Sequence, residues 1–358
     1  MIQTIQLSAA FFLSLFLVYI TIPAIVRLSK AKKLFDVPNE RKVNKTVIPN
    51  LGGVALFIGI SIASLLSIHT LAFPDIRYIL VAMIVMFFVG IKDDILMITP
   101  RKKFLAQVLS AVILIVLGDI RFSSLHGVFG IYEISYVSSF FVSLLAIVAI
   151  INSINLIDGI DGLASGLGIL ISGFFGSVFF LQDHYQYAIL SFAILGGLIP
   201  FFLFNVFGKE NKIFMGDTGS LILGVLFAVL AIKYNEFALT EPGEIHHYSP
   251  ALSLAIVSVP LLDMVRVFCL RIFQKKSPFS PDMNHIHHKL LELGYSHLKS
   301  TLIIVTSNLV IIALIYIFRG LNVHILLVSL VALEILITMI PEYVYKYKLT
   351  KEKAITGK

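Results

Sequence analysis

Charged residues are scarce in this sequence. They make up 14% of its 358 residues, against about 25% in soluble globular domains, while 58% of the residues are hydrophobic. A soluble core of this size could not cover so much apolar surface. Apolar runs of roughly 17–25 residues, long enough to cross a bilayer, recur along the chain. They are continuous rather than alternating, which argues against a β-barrel. The composition therefore predicts an all-α, polytopic membrane protein.

Cysteine is nearly absent, and the start of the chain has no basic residue. The single cysteine, Cys269, excludes an internal disulfide and a cysteine-based metal site. Residues 1–10 contain no lysine or arginine, so we expect the first apolar run to be a retained span rather than a removable signal peptide. No repeat and no separate soluble domain is recognisable, and we predict one integral membrane domain over residues 1–358.

The apolar runs and the loop charges together predict a topology. We place eleven spans, at residues 5–26, 51–71, 77–92, 104–118, 137–154, 163–181, 187–206, 219–234, 251–271, 301–318 and 323–340. With this count, nearly all lysines and arginines fall on one side of the membrane, and the exceptions are Arg77, Arg121, Lys233 and Arg319. The positive-inside rule makes that side cytoplasmic, so the N-terminus lies outside and the C-terminus inside. The net charge of +7 reflects this bias, and we expect no nucleic-acid binding.

A polar stretch at residues 152–163 separates two long apolar runs. Asn152, Asn155, Asp158 and Asp161 recur every third residue, so a helix would place them near one another on one face. The glycine after each aspartate indicates a looser backbone that a ligand can approach. Two carboxylates and two amides at a membrane boundary are costly unless they bind something. We therefore predict a binding site here.

Two more acidic motifs lie on the same predicted side. Asp93 and Asp94 would point about 100° apart on a helix, so one is expected to face a metal or a basic substrate group while the other takes a proton. Solvated acids at a helix end are the alternative. Asp217 begins a span, where free N–H groups favour negative charge, and an N-cap is its alternative role. The sequence around it lacks the Gly-Lys-Ser/Thr ending of a P-loop.

The remaining cytoplasmic loops contribute basic residues and histidines. A turn formed by Pro49 and two glycines would deliver Lys45 to the head of the second span, although a plain positive-inside loop is the alternative. His285, His287 and His288 could bind a transition metal, donate hydrogen bonds to phosphate, or simply be solvated. Carboxylate and amide oxygens suit Mg²⁺ better than zinc. A Mg²⁺ site ringed by basic groups suits a diphosphate, and the membrane suggests that the second substrate is a lipid.

Four motifs in this order resemble the polyprenyl-phosphate N-acetylhexosamine-1-phosphate transferases over nearly the whole chain. They are the Asp93-Asp94 pair, Asn155, Asp158 and Asp161 within residues 155–162, Phe214 and Asp217 within residues 214–220, and the run from His285 to His288. The last motif is most similar to the branch that transfers N-acetylglucosamine-1-phosphate, which has eleven spans. The phospho-N-acetylmuramoyl-pentapeptide branch usually has ten spans and three consecutive histidines, a run that Ile286 interrupts here.

The resemblance implies the reaction and its substrates. A phosphate oxygen of undecaprenyl phosphate would attack the β-phosphorus of a UDP-N-acetylhexosamine, most simply UDP-N-acetylglucosamine, and UMP would leave. A covalent phospho-aspartate intermediate is the alternative to this direct attack. The enzyme would depend on Mg²⁺, for which Mn²⁺ can substitute, and would face the cytoplasm from a bacterial inner membrane. Many family members are dimers, so a homodimer is compatible with the resemblance.

The same resemblance implies roles for individual residues. Asp217 would bind Mg²⁺ with Asn155 as a second ligand, and Asp93 or Asp94 would accept the proton of the lipid phosphate or position it. The uridine end would be held by Asp158, Asp161, Phe214 and Lys45. Phosphate charge would be neutralised by Arg101, Lys103, His287 and His288. His285 and Asn205 would be further substrate-binding residues. The family's third acid of the aspartate motif is Met97 here, and Asn205 matches its motif only with about two extra residues.

Other functions remain open at this stage. Within the family, a phospho-N-acetylmuramoyl-pentapeptide or another N-acetylhexosamine could be the transferred group. A transporter would predict charges deep in several spans, whereas only Asp263 and Glu334 fall deep in predicted spans. Asp263 and Arg266 lie three residues apart and can simply pair with each other. A structural scaffold gives no reason for the cytoplasmic acids.

Overall fold

Helices account for almost all of the ordered secondary structure. A computed structural model of the protein describes residues 2–32, 34, 48–68, 73–239, 247–277 and 282–356, and within these ranges the chain contains no β-strand. The helices, numbered in chain order, are α1 (Ile2–Lys32), α2 (Gly52–Ser67), α3 (Asp75–Leu96), α4 (Pro100–Val112), α5 (Tyr136–Ile157), α6 (Leu163–Leu181), α7 (Tyr185–Phe207), α8 (Gly216–Phe237), α9 (Ser249–Ile256), α10 (Ser258–Phe273), α11 (Ile286–Glu292), α12 (His297–Ile317) and α13 (Val323–Thr356).

In the described ranges every predicted span overlaps a helix or two consecutive helical segments. In the described ranges, seven helices are long and apolar enough to cross a membrane, namely α1, α5, α6, α7, α8, α12 and α13. The pair α9 and α10 makes an eighth if it forms one bent span. The helices α2 and α4 are shorter, with 16 and 13 residues, and α3 carries charges near both ends. The protein is thus a multi-pass helical membrane protein.

The predicted span at residues 251–271 is two helices rather than one. Helix α9 ends at Ile256 and α10 begins at Ser258, with a 79° bend between them. Pro260 has no N–H to bond to the carbonyl of Ile256, so the helical ladder cannot continue through this point. The bend matters for the site because α10 carries Asp263.

Helix α8 is the central element of the described structure. In its apolar 18-residue segment 83% of the residues are buried, against 28–61% in the other six spans. Helices α2, α3, α5, α6 and α9 all pack against it. Asp217 lies in its first turn and Lys233, paired with Asp75 at 2.7 Å, lies in its last turns. Asp217 thus places the predicted site at the N-terminal end of α8, where Asp94 and Asn155 contact the first turn of this helix.

Two glycines allow the backbones of α2 and α3 to touch the first turn of α8. A Cβ atom at Gly53 would lie 2.1 Å from the backbone nitrogen of Gly219, and one at Gly90 would lie 2.4 Å from the Cα of Thr218. Real Cβ atoms do not approach backbone so closely, so only glycine fits at these contacts. This packing brings the end of α3, with its aspartate pair, beside Asp217.

Candidate active site

The segment before α8 is held against the segment before α2. The Phe214 N–H donates to the carbonyl of Pro49 at 2.8 Å, the Gly52 N–H to the carbonyl of Phe214 at 3.0 Å, and the Gly53 N–H to the carbonyl of Met215 at 2.9 Å. These backbone bonds fix the position of Phe214, whose ring is half-buried. Lys45, predicted to reach the same place, lies outside the described residues.

Asp94 caps α8 from a different helix. Its Oδ1 accepts the Asp217 N–H at 2.8 Å, and its Oδ2 accepts the Thr218 N–H at 3.0 Å and the Thr218 hydroxyl at 2.6 Å. The first N–H groups of a helix have no partner within the helix, and a carboxylate at this end also suits the helix dipole. Both oxygens of Asp94 are thus used to hold the turn that carries Asp217.

The other acid of the pair, Asp93, faces Asp217 with the Lys103 side chain between them. The Lys103 ammonium lies 2.6 Å from Oδ1 of Asp217 and 3.3 Å from Oδ2 of Asp93. The other oxygen of Asp93 accepts the Ile98 N–H at 2.7 Å. Asn155 donates its amide N–H groups to Oδ1 of Asp217 and, at 2.8 Å, to the Ser220 hydroxyl. The structure therefore brings Asp93, Asp217, Asn155 and Lys103 into one cluster.

The polar stretch is helical only in its first part. Helix α5 ends at Ile157, so Asp158 and Asp161 lie in the following turn and do not share a helix face with Asn155. The chain reverses at Gly162, whose φ of +81° favours glycine. Burial, reinforced by the charges of Asp217, Asp94 and Asp161, raises the pKa of Asp158 to about 8, so a bound cation would be needed to hold it fully ionised at neutral pH.

Asp161 has two basic partners that the sequence did not indicate. Its Oδ2 lies 2.7 Å from Nζ of Lys212 and 3.1 Å from Nδ1 of His297. Burial alone would raise the pKa of Asp161, but hydrogen bonds from His297 and Lys212 outweigh it and lower the pKa. The Thr301 hydroxyl also donates to the Asp161 carbonyl at 3.0 Å. Asp161 is therefore a charged anchor that ties the turn to α12 and to the loop before α8.

Asn205 joins the same two loops through its side-chain amide. Its Oδ1 accepts the Gly162 N–H at 2.6 Å, and its Nδ2 donates to the carbonyl of Ile213 at 2.9 Å. The side chain is buried. This geometry gives Asn205 a positioning role between the polar turn and the Phe214 segment, while direct substrate binding by Asn205 stays a prediction.

A buried carboxylate on α10 holds the histidine motif. Asp263 accepts from His285 Nδ1 at 2.8 Å, from the Ile286 N–H at 3.2 Å and from Arg266 at 2.8 Å. The expected pairing of Asp263 with Arg266 is thus confirmed. Like Asp94 at α8, Asp263 caps a helix N-terminus, that of α11, from another helix.

The histidine motif packs against the polar turn. The rings of His285 and His287 stack with centroids 5.7 Å apart, and His288 lies 4.2 Å from His287. A Cβ at Gly159 would lie 2.3 Å from Nε2 of His287, so this glycine makes room for the ring. Burial lowers the pKa of His287 to about 3. At neutral pH the ring can offer a ligand one N–H but no positive charge.

Not every predicted residue joins the cluster around Asp217. Arg101 is exposed in the first turn of α4, two residues from Lys103, which points inward. Sequence reasoning also missed Lys212, His297 and Thr218. Thr218 lies inside a recognised motif and could have been inferred from it. Lys212 and His297 carry no local signal, because their contact with Asp161 depends on how distant segments fold together.

The carboxylates around Asp217 fit a hard divalent cation. Asp217 and Asp93 lie together with the Lys103 ammonium between them, as a cation would be. Asn155 turns its N–H groups toward Asp217 and Ser220, so its role as a second metal ligand stays a prediction. Within the described ranges no three His, Cys, Asp or Glu side chains form a complete metal site. The three histidines are thus not such a group. Mg²⁺ is usually held by one or two carboxylates and completed by water and substrate phosphates, and two carboxylates are what Asp93 and Asp217 can supply.

Comparison with known proteins identifies the family. The sequence model of glycosyl transferase family 4 matches residues 76–235. An undecaprenyl-phosphate alpha-N-acetylglucosaminyl 1-phosphate transferase of Escherichia coli K12 is 31% identical over 306 residues, which is 85% of this chain and 80% of the relative. Proteins of the same name from Salmonella typhi and Haemophilus influenzae are 30% identical over 283 residues (78% of this chain, 75% of the relative) and 34% identical over 275 residues (76% and 75%). With the aspartate pair and Asn155 against the start of α8 and the histidine motif packed on the polar turn, the chain belongs to glycosyl transferase family 4, in the group of polyprenyl-phosphate N-acetylhexosamine-1-phosphate transferases.

Proposed function

We propose that this protein transfers N-acetylglucosamine-1-phosphate from UDP-N-acetylglucosamine to undecaprenyl phosphate. The observation that carries the proposal is the cluster of Asp93, Asp217, Asn155 and Lys103 at one end of α8. It supplies acids for a divalent cation and a lysine for phosphate, which a diphosphate donor requires. The names of the relatives support the lipid acceptor and the sugar. Such a step would begin the assembly of a cell-surface glycan on its lipid carrier.

The proposed topology has eleven spans in the bacterial inner membrane, with the N-terminus outside and the active-site cleft facing the cytoplasm. Its support is the charge distribution, because the loops at the Asp217 end of α8 carry most of the lysines and arginines. Helices α2, α3 and α4 would then be the three further spans; α2 and α3 pack against α8, and α4 packs against α3 and α5. A cytoplasmic cleft also suits a nucleotide-sugar donor, which is made in the cytoplasm.

The chemistry is one exchange of bonds at phosphorus. An oxygen of the lipid phosphate bonds to the β-phosphorus of the donor, the bond from this phosphorus to the bridging oxygen breaks, and that oxygen leaves with UMP. Asp217 would hold Mg²⁺, whose charge would neutralise the diphosphate, and Asn155 would position the Asp217 carboxylate through its N–H groups. Asp93 would position the lipid phosphate, which is largely ionised at neutral pH, so orientation matters more than proton removal. Asp94 would act through α8 by holding Asp217 in place.

The remaining residues would hold the two ends of the donor. Phe214 would stack on the uracil ring, and Asp158 with the turn around it would contact the nucleoside. Lys103 and the N–H groups of His287 and His288 would contact phosphate oxygens. Ile286, which separates the histidines, is buried and so offers nothing to a ligand. This spacing favours N-acetylglucosamine over the muropeptide, with another N-acetylhexosamine as the runner-up.

The test follows UMP release by the purified full-length chain with undecaprenyl phosphate, Mg²⁺ and a panel of UDP-sugars. We expect release with UDP-N-acetylglucosamine that requires the lipid and stops with EDTA. Asp217→Asn should abolish release. The matched control is Asp119→Asn, because Asp119 is highly exposed and its ion pair in the described part of the chain is with Arg121, two residues away, at 2.6 Å. Release with a different UDP-sugar alone would change the donor, and no release with any donor from folded protein would favour a transporter.

A further inference from the structure

Lys103 occupies the position between Asp93 and Asp217 that best suits a cation. Its ammonium lies 2.6 Å from Oδ1 of Asp217 and 3.3 Å from Oδ2 of Asp93. The side chains of Lys103, Asp93 and Asp217 are 16%, 11% and 30% exposed. Solvent therefore screens this ion pair less than a surface pair. The ammonium neutralises carboxylates that would otherwise repel each other.

Oδ1 of Asp217, the oxygen that Lys103 contacts, has no free acceptor site. A carboxylate oxygen offers about two acceptor sites, and Oδ1 of Asp217 accepts both Lys103 and the Asn155 amide. Mg²⁺ binds carboxylate oxygens at about 2.0–2.1 Å. A metal at this oxygen must therefore displace one of the two donors. Asn155 is neutral and is also anchored at Ser220, whereas the lysine repels the metal and has a long, flexible stem.

We propose that Lys103 and the divalent metal compete for the Asp217 carboxylate beside Asp93, so that metal binding releases the lysine ammonium to the phosphate groups of the substrates. This inference rests on the proposed function for its second half, since only that half requires a phosphate substrate. A divalent cation supplies the two positive charges that the carboxylates need, and Lys103 becomes a surplus charge within reach of the same site. Lys103 would then neutralise a second anion instead of staying bound to Asp217.

The proposal predicts that Lys103 weakens the metal affinity of the protein. Without its ammonium, Asp93 and Asp217 repel each other and attract a cation more strongly. The proposal also predicts coupling in the other direction, because a bound phosphate that holds Lys103 away from Asp217 must strengthen metal binding by the same factor. A lysine that merely stabilises the fold would show neither effect.

The first experiment measures Mn²⁺ binding to the full-length chain in detergent by electron paramagnetic resonance, with neither donor nor lipid present. Lys103→Met keeps the length of the side chain and removes its charge, and we expect it to tighten the Kd by at least about tenfold. Lys103→Arg should stay near the wild type. The control is Lys102→Met, because Lys102 lies next to Lys103 but is exposed, and its Kd should change by less than about twofold.

The second experiment follows turnover against Mg²⁺ concentration in the same variants. Lys103→Met should lower kcat, since the phosphates lose a positive charge, and should also lower the Mg²⁺ concentration that gives half-maximal turnover. Damage to the fold would lower kcat without lowering that concentration. Far-UV circular dichroism establishes that each variant is folded.

The outcomes separate this inference from the proposed function. An unchanged or weaker Mn²⁺ affinity in Lys103→Met overturns the competition, and so does the lack of Mn²⁺ binding by both proteins at millimolar concentration. The binding experiment needs no donor, so tighter binding in the variant would support the competition even if no UDP-sugar released UMP. In that case the proposed reaction, and not the competition, would be rejected.

Discussion

Replacing Asp94 tests whether this carboxylate holds the catalytic helix in place. It accepts two backbone N–H groups and one hydroxyl from the first turn of α8. We expect Asp94→Ala to destabilise the protein and to displace Asp217. Asp94→Asn keeps one acceptor oxygen and should have an intermediate effect. Asp93→Asn is the comparison, because Asp93 caps no part of α8 and is expected to change turnover more than stability.

The size of the effect follows from the three lost hydrogen bonds. Replacing an N-cap by alanine typically costs about 0.5–2 kcal/mol. Here Thr218 is fully buried, so its N–H and hydroxyl would be left without partners, and each hydrogen bond to a charged group contributes about 1.5–3 kcal/mol. Because these contributions are not additive, we expect about 2–4 kcal/mol for Asp94→Ala and about half of that for Asp94→Asn.

The assay is thermal unfolding in detergent, followed by far-UV circular dichroism. The chain has no tryptophan, and its single cysteine is exposed, so neither tryptophan fluorescence nor labelling of a buried thiol reports on unfolding. The expected order of unfolding temperature is wild type, then Asp94→Asn, then Asp94→Ala, with Asp93→Asn close to wild type. The reasoning is refuted if Asp94→Ala unfolds with the wild type, or if Asp93→Asn is the less stable of the two asparagine variants.

Three further predictions concern packing, pH and positioning. Gly53→Ala should lower the unfolding temperature, because its Cβ would lie 2.1 Å from the nitrogen of Gly219. The control Gly173→Ala should leave that temperature unchanged or raise it, because a Cβ there would meet no atom within 4 Å beyond its own helix. Equal unfolding temperatures in the two variants would contradict the close contact. Burial lowers the pKa of His287 from 6.5 to about 3, so the stability that the neutral ring contributes is present above pH 6.5 and is lost as the pH falls, because the unfolded chain takes up the proton first. Between about pH 7.5 and about pH 5, the unfolding temperature should therefore fall less in His287→Asn than in the wild type. An equal fall in both proteins would be evidence against this cause. Asn205→Ala should raise the KM for the UDP-sugar more than it lowers kcat, since the substitution loosens the turn at Gly162 and the segment at Ile213 and removes no group that contacts a reacting atom. A loss of kcat with unchanged KM would argue for a direct role of Asn205 in the reaction.

The sequence was sufficient for the elements of this fold and for its family. Continuous apolar runs mark helices because each run must bury its backbone polar groups within one segment, and each predicted span overlaps helix in the described residues, although the span at 251–271 is broken into two helices. The four motifs were recognisable because each lies in a short stretch of chain. The predicted face of four polar residues was wrong in part, since α5 ends at Ile157 and leaves Asp158 and Asp161 in a turn. The glycines that end the helix were visible, but their effect on side-chain direction was not.

The division of labour within the aspartate pair required the tertiary structure. Asp93 and Asp94 are adjacent, and no local pattern distinguishes the acid that faces Lys103 from the one that caps α8. Their orientation is set by the angle at which α3 meets α8, which depends on close backbone contact at Gly90. The same applies to the partners of Asp161, of which His297 lies 136 residues away along the chain.

Composition and motif order thus determined that this chain is a helical membrane protein of the polyprenyl-phosphate N-acetylhexosamine-1-phosphate transferases, because hydrophobic length and short motifs are local properties. Only the folded structure decided which side chains share the cation position, which carboxylate holds α8 and how Asp263 supports the histidines. Those contacts join helices far apart in sequence, and their geometry depends on packing that no single segment encodes.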